Sequence, residues 1–185
     1  VKQLHQTLQA VSPLYKNILK GILQEINLLP PGAGMAGIYC MVDQSQGVFK
    51  APANVSMTSV ISPAVQISQD DQEDLNTPLD GKSVCAIRMF AGQGILVWGA
   101  RTLDGNSQDW RYINVRRTMI FIEQSIKTAI RAYVFEPNDA NTWATVKSMT
   151  ENFLTNFWMQ GGLAGAKPQD AFSVQIGLGS TMTAQ

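Results

Sequence analysis

The chain has 185 residues, enough for one substantial core or for one domain with an appendage. Charged residues make up 15%, against roughly 25% in an average soluble domain, while hydrophobic residues stand at an ordinary 45%. Fourteen Lys and Arg balance fourteen Asp and Glu, which argues against a nucleic-acid binder, since that needs a basic stripe. No apolar run approaches the roughly 18 residues of a membrane-spanning helix, so direct membrane insertion is not expected either.

A free monomer usually keeps its surface wet with Lys, Glu, Asp and Arg. A shortage of them points to a surface covered by protein partners, with Gln, Asn, Ser and Thr supplying polar contacts. The plainer alternative is a neutral enzyme with an uncharged polar surface. Cys40 and Cys85 are too few for a disulfide framework and read as small core residues of a reducing compartment. The opening Val1-Lys-Gln-Leu-His-Gln-Thr7 does not have the pattern of a signal peptide.

Residues 1–12 read as polar and irregular. Ser12-Pro13 looks like a helix start, with Ser as N-cap and Pro at the first helical position. Leu14, Ile18, Ile22 and Ile26, joined by Leu19 and Leu23, form one apolar face over about 13–28, and Pro30-Pro31 stops it. A second helix over 33–45 turns Met35, Ile38, Tyr39 and Val42 inward and ends at Gly47. Residues 48–66 read as a long connector. Asp70, Asp71, Glu73 and Asp74 sit on a short helix or a turn.

Val84 to Phe90 and Ile95 to Gly99 read as strands of an antiparallel hairpin turned by Ala91-Gly-Gln-Gly94. The second is apolar on both faces and therefore central. After a polar loop at 104–110, Asn114 can cap a helix with Val115, Met119, Ile122, Ile126 and Ala129 on one stripe. Glu123 and Lys127 stand there in the favourable i,i+4 order, worth roughly 0.2–0.5 kcal/mol. Ala132 to Phe135 reads as a short strand. Asn138 or Asp139 caps a last long helix, with Trp143, Val146, Thr150, Phe153 and Phe157 on one face and Gly161-Gly162 at its close. Phe172, Val174, Ile176 and Leu178 alternate with Ser173, Gln175 and Gly177, the pattern of a half-exposed strand. The sum is an α+β unit: a small mixed or antiparallel sheet of three to four strands, covered by two to three helices and preceded by a helical hairpin.

Catalytic chemistry finds little support. Gly32-Ala-Gly34-Met-Ala-Gly37 is a literal G-x-G-x-x-G, but a dinucleotide site needs a strand before it and an acidic residue about 20 positions on. Here a helix and two prolines precede it, and 54–58 hold no carboxylate, so the run reads as small residues opening a tightly packed helix. His5 is the single histidine, which removes Ser-His-Asp and Cys-His catalysis and multi-histidine zinc sites. The acidic cluster at 70–74 lacks the spacing and glycine of an EF-hand loop and reads as a solvated face. No catalytic residue, cofactor or metal site is assigned. Arg101, Arg116 and Arg117 flank apolar segments, where arginine pairs with a carboxylate or caps carbonyls at an interface; Glu123 and Glu136 are the candidate partners.

Several segments, in order, resemble the C-terminal part of contractile tail sheath proteins. Gly94-Ile-Leu-Val-Trp-Gly-Ala-Arg-Thr-Leu103 holds the core, with Trp98, Gly99, Arg101 and Thr102 as motif positions. It is followed by Val115-Arg-Arg-Thr-Met-Ile-Phe-Ile-Glu-Gln-Ser-Ile126, with Arg116, Arg117 and Glu123, and by Phe135-Glu-Pro-Asn-Asp139, with Glu136, Pro137 and Asn138. Pro30-Pro-Gly-Ala-Gly-Met-Ala-Gly37 is similar to the family's Pro-Pro-Ser-Gly-x-x-Ala-Gly run. Gly47-Val-Phe-Lys-Ala-Pro-Ala-Asn54 resembles Gly-Val-Trp-Lys-Ala-Pro-Ala-Asn, with Phe49 in place of Trp. Leu79-Asp-Gly-Lys-Ser-Val-Cys85 departs from the family's Asn-rich approach to the first strand.

The resemblance implies a structural subunit of a contractile injection machine, not an enzyme. Such subunits stack around an inner tube, engage baseplate and tail-terminator proteins, and add terminal arms as strands to the sheets of their neighbours. It further implies assembly in the bacterial cytoplasm into a phage tail or tail-like particle. It divides the chain into 1–80, a helical hairpin and connector ending the preceding sheath domain, and 81–185, a C-terminal domain lacking its last strand. The chain then reads as part of a longer protein, and Phe172, Val174 and Ile176 as lying beside the edge that accepts a neighbour's arm. The alternatives are an α/β enzyme domain, hydrolase-like or nucleotide-binding, and the inner tube protein, which is mostly β and lacks long helices at 114–131 and 139–160.

Overall fold

A computed structural model describes residues 1–183; Ala184 and Gln185, the end of the expected second domain, lie outside the described residues. The fold is α+β, with seven helices and a three-stranded antiparallel sheet among those residues.

The N-terminal segment is helical, not irregular. α1 spans Lys2–Val11, and Leu4, Leu8 and Val11 recur on one face among good helix formers. α2 spans Pro13–Ile26, two residues shorter than read from the sequence, with Tyr15 N donating to Ser12 Oγ at its cap. A 2.8 Å hydrogen bond between His5 Nδ1 and Tyr15 Oη ties α1 to α2. Neither helix buries a residue.

α3, Gly32–Gln46, contributes Ile38 and Val42 to a first core cluster with Met57, Ile95 and Val97. Its glycine-rich start faces that cluster: a Cβ on Gly34 would lie 2.6 Å from the Met57 methyl. Cys85 is half-buried, but Cys40 is exposed on α3, because the inward stripe of the helix is set by Ile38 and Val42.

β2 (Ala86–Phe90) and β3 (Gly94–Trp98) form the expected hairpin, with Ala86 opposite Trp98 and Phe90 opposite Gly94. β3 is central, and Ile95, Leu96 and Val97 are all buried. The third strand, β1, is Val55–Ser56 from the stretch read as a connector. Two residues are too few for an alternation to show, yet Asn54 N and Met57 N both donate to β3 carbonyls at 2.8 and 2.9 Å.

Two segments read as strands are not in the sheet. At 131–133 the end of α5 tightens into a 3₁₀ turn, and Val134 and Phe135 stand exposed. Local i→i+3 bonds, such as Glu136 N to Tyr133 O, use the backbone that a strand would need. Ser173 to Ile176 has no regular structure and no backbone hydrogen bond among the described residues, as described below.

α4, Gln69–Asn76, starts with a capping box: Asp71 N donates to Ser68 Oγ while Ser68 N donates to the Asp71 carboxylate. α5 spans Ile113–Ile130 and α6 spans Ala140–Met159. Asp139 caps α6 through Thr142 N, whereas Tyr112, not Asn114, is the N-cap of α5. Asn114 sits inside the first turn and donates to Phe49 O at 3.2 Å. α5 and α6 meet in a second cluster of Ile122, Leu154 and Phe157, backed by Phe49, Phe153 and Leu163. α7, Pro168–Ala171, leads into the extended tail. No helix among the described residues is long and apolar enough to cross a membrane.

Candidate functional site

The motif residues of 98–117 form one continuous structure at the exit of the sheet. Trp98 closes β3 with its ring 4.7 Å from that of Phe90, and its carbonyl accepts from Gln72 Nε2. Gly99 follows at φ +156, and a Cβ there would lie 2.8 Å from the Cys85 Cα, so the chain can pass only because nothing projects. The Cys85 thiol donates to Arg101 O, and burial pushes its pKa above the ordinary value.

Arg101 and Tyr112 then pair as an isolated antiparallel bridge. Thr102 N donates to Arg111 O and Ile113 N to Ala100 O. Thr102 Oγ1 donates to Trp110 O at 2.7 Å and accepts from Asp104 N, tying off the loop in between. The polar loop at 104–110 is therefore a closed lobe whose base feeds directly into α5.

The three arginines do not find the partners expected of them. Glu123 and Glu136 are exposed and make no ion pair among the described residues, and Glu123 does not reach Lys127. The i,i+4 pair that does form is Lys147–Glu151, at 3.8 Å. Arg117 instead makes a fork onto Asp43, with Nη1–Oδ1 at 2.8 Å and Nη2–Oδ2 at 2.6 Å, and lies 4.7 Å from the Tyr39 ring. Hydrogen bonding to Asp43 holds Arg117 above its ordinary pKa, and burial raises that of Tyr39. Arg116 stacks on Trp110 at 4.9 Å, and Arg101 lies 5.8 Å from the Tyr112 ring. The sequence reading turned Tyr39 inward on its helix but named neither it nor Asp43 or Trp110 as partners of the arginines. Tyr39 and Asp43 are four apart on α3, so they share the face that meets α5, and that spacing was the available signal.

Glu136, Pro137 and Asn138 form the elbow between α5 and α6. Asn138 Oδ1 accepts from Trp143 Nε1 at 2.6 Å, and Asp139 N donates to Pro137 O. No ion pair among the described residues joins this elbow to the arginines.

After α7, Phe172 is fully extended (φ −156, ψ 160). Phe172, Val174 and Ile176 are half-buried while Ser173 and Gln175 are exposed, so the alternation is real. Phe172 and Val174 pack against the cluster of Ile122, Leu154 and Phe157. Among the described residues, no backbone group of Ser173 to Ile176 makes a hydrogen bond. The chain then curls at Gly177, whose carbonyl accepts from Ser180, Thr181 and Met182 N. The segment has the shape and facing of a strand without a strand's partner. Among the described residues there is no group of three or more His, Cys, Asp or Glu placed to hold a metal.

Residues 106–180 match the family model of the phage tail sheath C-terminal domain. The resemblance to the C-terminal portion of contractile tail sheath proteins is shown. The tail sheath protein of Vibrio phage KVP40 is 27% identical over 135 residues, which is 73% of this chain and 20% of that protein. The tail sheath protein of Salmonella phage ViI is 23% identical over 139 residues, 75% of this chain and 22% of that protein.

Among solved structures, a chain of the PVC sheath complex of an extracellular contractile injection system, in its contracted state, matches with a TM-score of 0.79 and 46% identity. The match covers 84% of this chain and 43% of that one. A chain of the anti-feeding prophage baseplate matches with a TM-score of 0.78 and 43% identity, covering 83% of this chain and 42% of that one. The chain thus spans about a fifth of the curated relatives and under half of these solved chains.

Proposed function

We propose that this chain serves as part of the structural subunit of a contractile tail sheath, which polymerises around an inner tube and shortens to drive that tube through a target envelope. The observation that carries the proposal is the 46% identity and 0.79 TM-score with a chain of a contractile sheath complex. The role is mechanical: the energy of firing is held in alternative packings of subunits, not released by bond chemistry. The enzyme reading loses its main motif, because Gly32–Gly37 opens α3 after Pro30-Pro31 and has no strand before it.

The partners in this proposal are other copies of the subunit, the inner tube protein, and baseplate and tail-terminator proteins. Assembly takes place in the bacterial cytoplasm, and the product is a phage tail or tail-like particle. Residues 1–80 end the preceding sheath domain, and 81–185 form the C-terminal domain. Pairing of β1 with β3 across that boundary supports close packing of the two parts.

Phe172, Val174 and Ile176 line the place where a neighbour's arm adds as a strand. Supporting this, Phe172 is extended, Phe172 and Val174 pack on the core while Ser173 and Gln175 face outward, and the backbone of Ser173 to Ile176 has no hydrogen-bond partner among the described residues. Each backbone bond gained there contributes about 0.5–1.5 kcal/mol net, so a few of them hold subunits together while other contacts exchange. Trp98, Gly99, Arg101, Thr102, Arg116 and Arg117 keep the sheet exit and α5 in a fixed relation, Glu136, Pro137 and Asn138 set the α5–α6 elbow, and Glu123 stands exposed on α5.

Negative-stain microscopy of the full-length protein tests both levels. Hollow striated cylinders are expected; discrete particles alone would contradict the sheath role. Removing residues 172–178 should abolish long cylinders, and cylinders of normal length would remove the strand-acceptor role alone.

A further inference from the structure

A small polar cavity lies between the 77–83 turn and the 101–111 loop, with a volume of about 180 Å³. Ser83, Arg101, Gly105, Asn106 and Arg111 line it. We propose that this cavity is a carboxylate site that receives an acidic side chain from a neighbouring copy of the chain. The inference rests on the sheath reading above and names one of the contacts that reading requires.

Two cations line this cavity without an ion-pair partner among the described residues, although Asp80, Asp104 and Asp109 stand exposed in the same turn and loop. The Arg101 guanidinium lies 5.8 Å from the centre of the Tyr112 ring, and the Arg111 guanidinium lies 6.0 Å from the same ring. No carboxylate of the described residues comes within 4.0 Å of either, because the ion pairs are Arg117–Asp43 and Lys147–Glu151. Arg111 Nε donates to Ser107 O at 3.1 Å, while the Arg101 side chain makes no hydrogen bond among the described residues. Both arginines are half-buried, so their charges are only partly offset by water. Like charges held beside one cavity repel, and the forked donors of guanidinium match a carboxylate in shape and charge.

The cavity is a built feature and not a gap that can close. Gly105 N donates to Gly81 O at 2.8 Å, and Ser83 Oγ donates to Asn76 O at 2.9 Å. A Cβ on Gly105 would stand 2.6 Å from Ser83 Oγ and 2.7 Å from Gly81 O, so this wall is as tight as backbone allows. The turn and the loop are therefore tied to each other at the wall that Arg101 and Arg111 also line.

Charge complementarity points to an acidic segment of another copy as the source of the anion. The described surface carries carboxylates that lack an ion-pair partner, as the two arginines do. Asp70, Glu73 and Asp74 stand exposed on α4 and take part in no ion pair among the described residues. α4 ends at Asn76, one residue before the cavity wall, yet none of its carboxylates reaches the arginines of its own chain. In a repeating assembly each copy offers one cavity and one acidic helix, which is the complementarity that fixes the register between subunits.

The test uses full-length protein carrying Arg101→Lys or Arg111→Lys, which keep the charge and add an amine. Cylinders assembled from equal amounts of ¹⁵N-labelled and unlabelled subunits are treated with a carbodiimide, which joins an amine to a touching carboxylate. The expected result is a peptide pair of mixed isotope content that joins the introduced amine, at either position, to an Asp or Glu, with α4 as the principal source. Cylinders whose links at these positions are confined to single subunits, reach another protein, or are lacking would overturn the site while leaving the sheath reading intact. A second variant, Arg101→Gln with Arg111→Gln, should lower the assembled fraction several-fold at low salt, where surface charges are least screened. Assembly equal to that of the unsubstituted protein would also overturn it. Failure of the unsubstituted protein to form cylinders would remove both readings.

Discussion

Arg117 on α5 grips Asp43 on α3 through two parallel hydrogen bonds, 2.8 and 2.6 Å long, across 74 residues of chain. The guanidinium also lies over Tyr39, so one side chain fastens α5 to α3. The pair is about a quarter to a third exposed, so part of its attraction is screened. Replacing either residue with Ala should cost about 1–2 kcal/mol in chemical denaturation, below the upper range for charged hydrogen bonds. The double variant should cost less than the two singles together by at least about 0.5 kcal/mol. Arg117→Lys keeps the charge but loses the fork and the stacking, and should restore only part of the stability.

Gly99 and Gly37 should respond to alanine in opposite directions. At Gly99, the backbone conformation (φ +156) is strained for an L side chain, and the nearest obstacle is backbone at 2.8 Å. Gly99→Ala should therefore lower stability by more than about 1 kcal/mol. Gly37 lies within α3, and a Cβ there meets nothing within 4 Å. Gly37→Ala should be neutral or stabilising by up to about 1 kcal/mol, the helix propensity difference. Thermal unfolding of the unassembled protein separates the two.

The start of α4 should be sensitive to acid. Hydrogen bonds from Ser68 hold the Asp71 carboxyl below its ordinary value of 3.8. A pKa lower in the folded than in the unfolded state means the contribution is fully present above the ordinary value. It is lost as pH falls through 3.8 towards the folded value. Amide exchange or chemical shifts at Asp71 and Gln72 should report loosening in that acidic window in the unsubstituted protein. Asp71→Asn should behave alike on both sides of it.

The elements legible in the sequence are those whose signal lies within a few residues. Ser12-Pro13 marks a helix start, and Leu96 and Val97 lie in an unbroken apolar run, so α2 and the central strand can be read locally. β1 cannot, because two residues carry no period and the strand exists only through its bonds to β3. The apolar run ending at Phe135 has the composition of a strand, but hydrophobicity alone does not supply a pairing partner; the backbone there closes on itself in a 3₁₀ turn. The same reason explains the arginines. Their position between apolar segments marks them as structural, but Asp43 and Trp110 come to them by folding, 74 and 6 positions away in sequence. The alternation from Phe172 to Ile176 predicts which side chains face the core, since facing is local, whereas pairing is not.

Hydrogen–deuterium exchange of the full-length protein, compared before and after assembly, tests most directly whether each copy completes itself with backbone from another. Amides of Ser173, Val174, Gln175 and Ile176 have no hydrogen-bond acceptor among the described residues and should exchange freely in the isolated subunit. In assembled particles they should become protected in the alternating pattern of a paired strand. Free exchange at all four positions in intact cylinders would contradict the account.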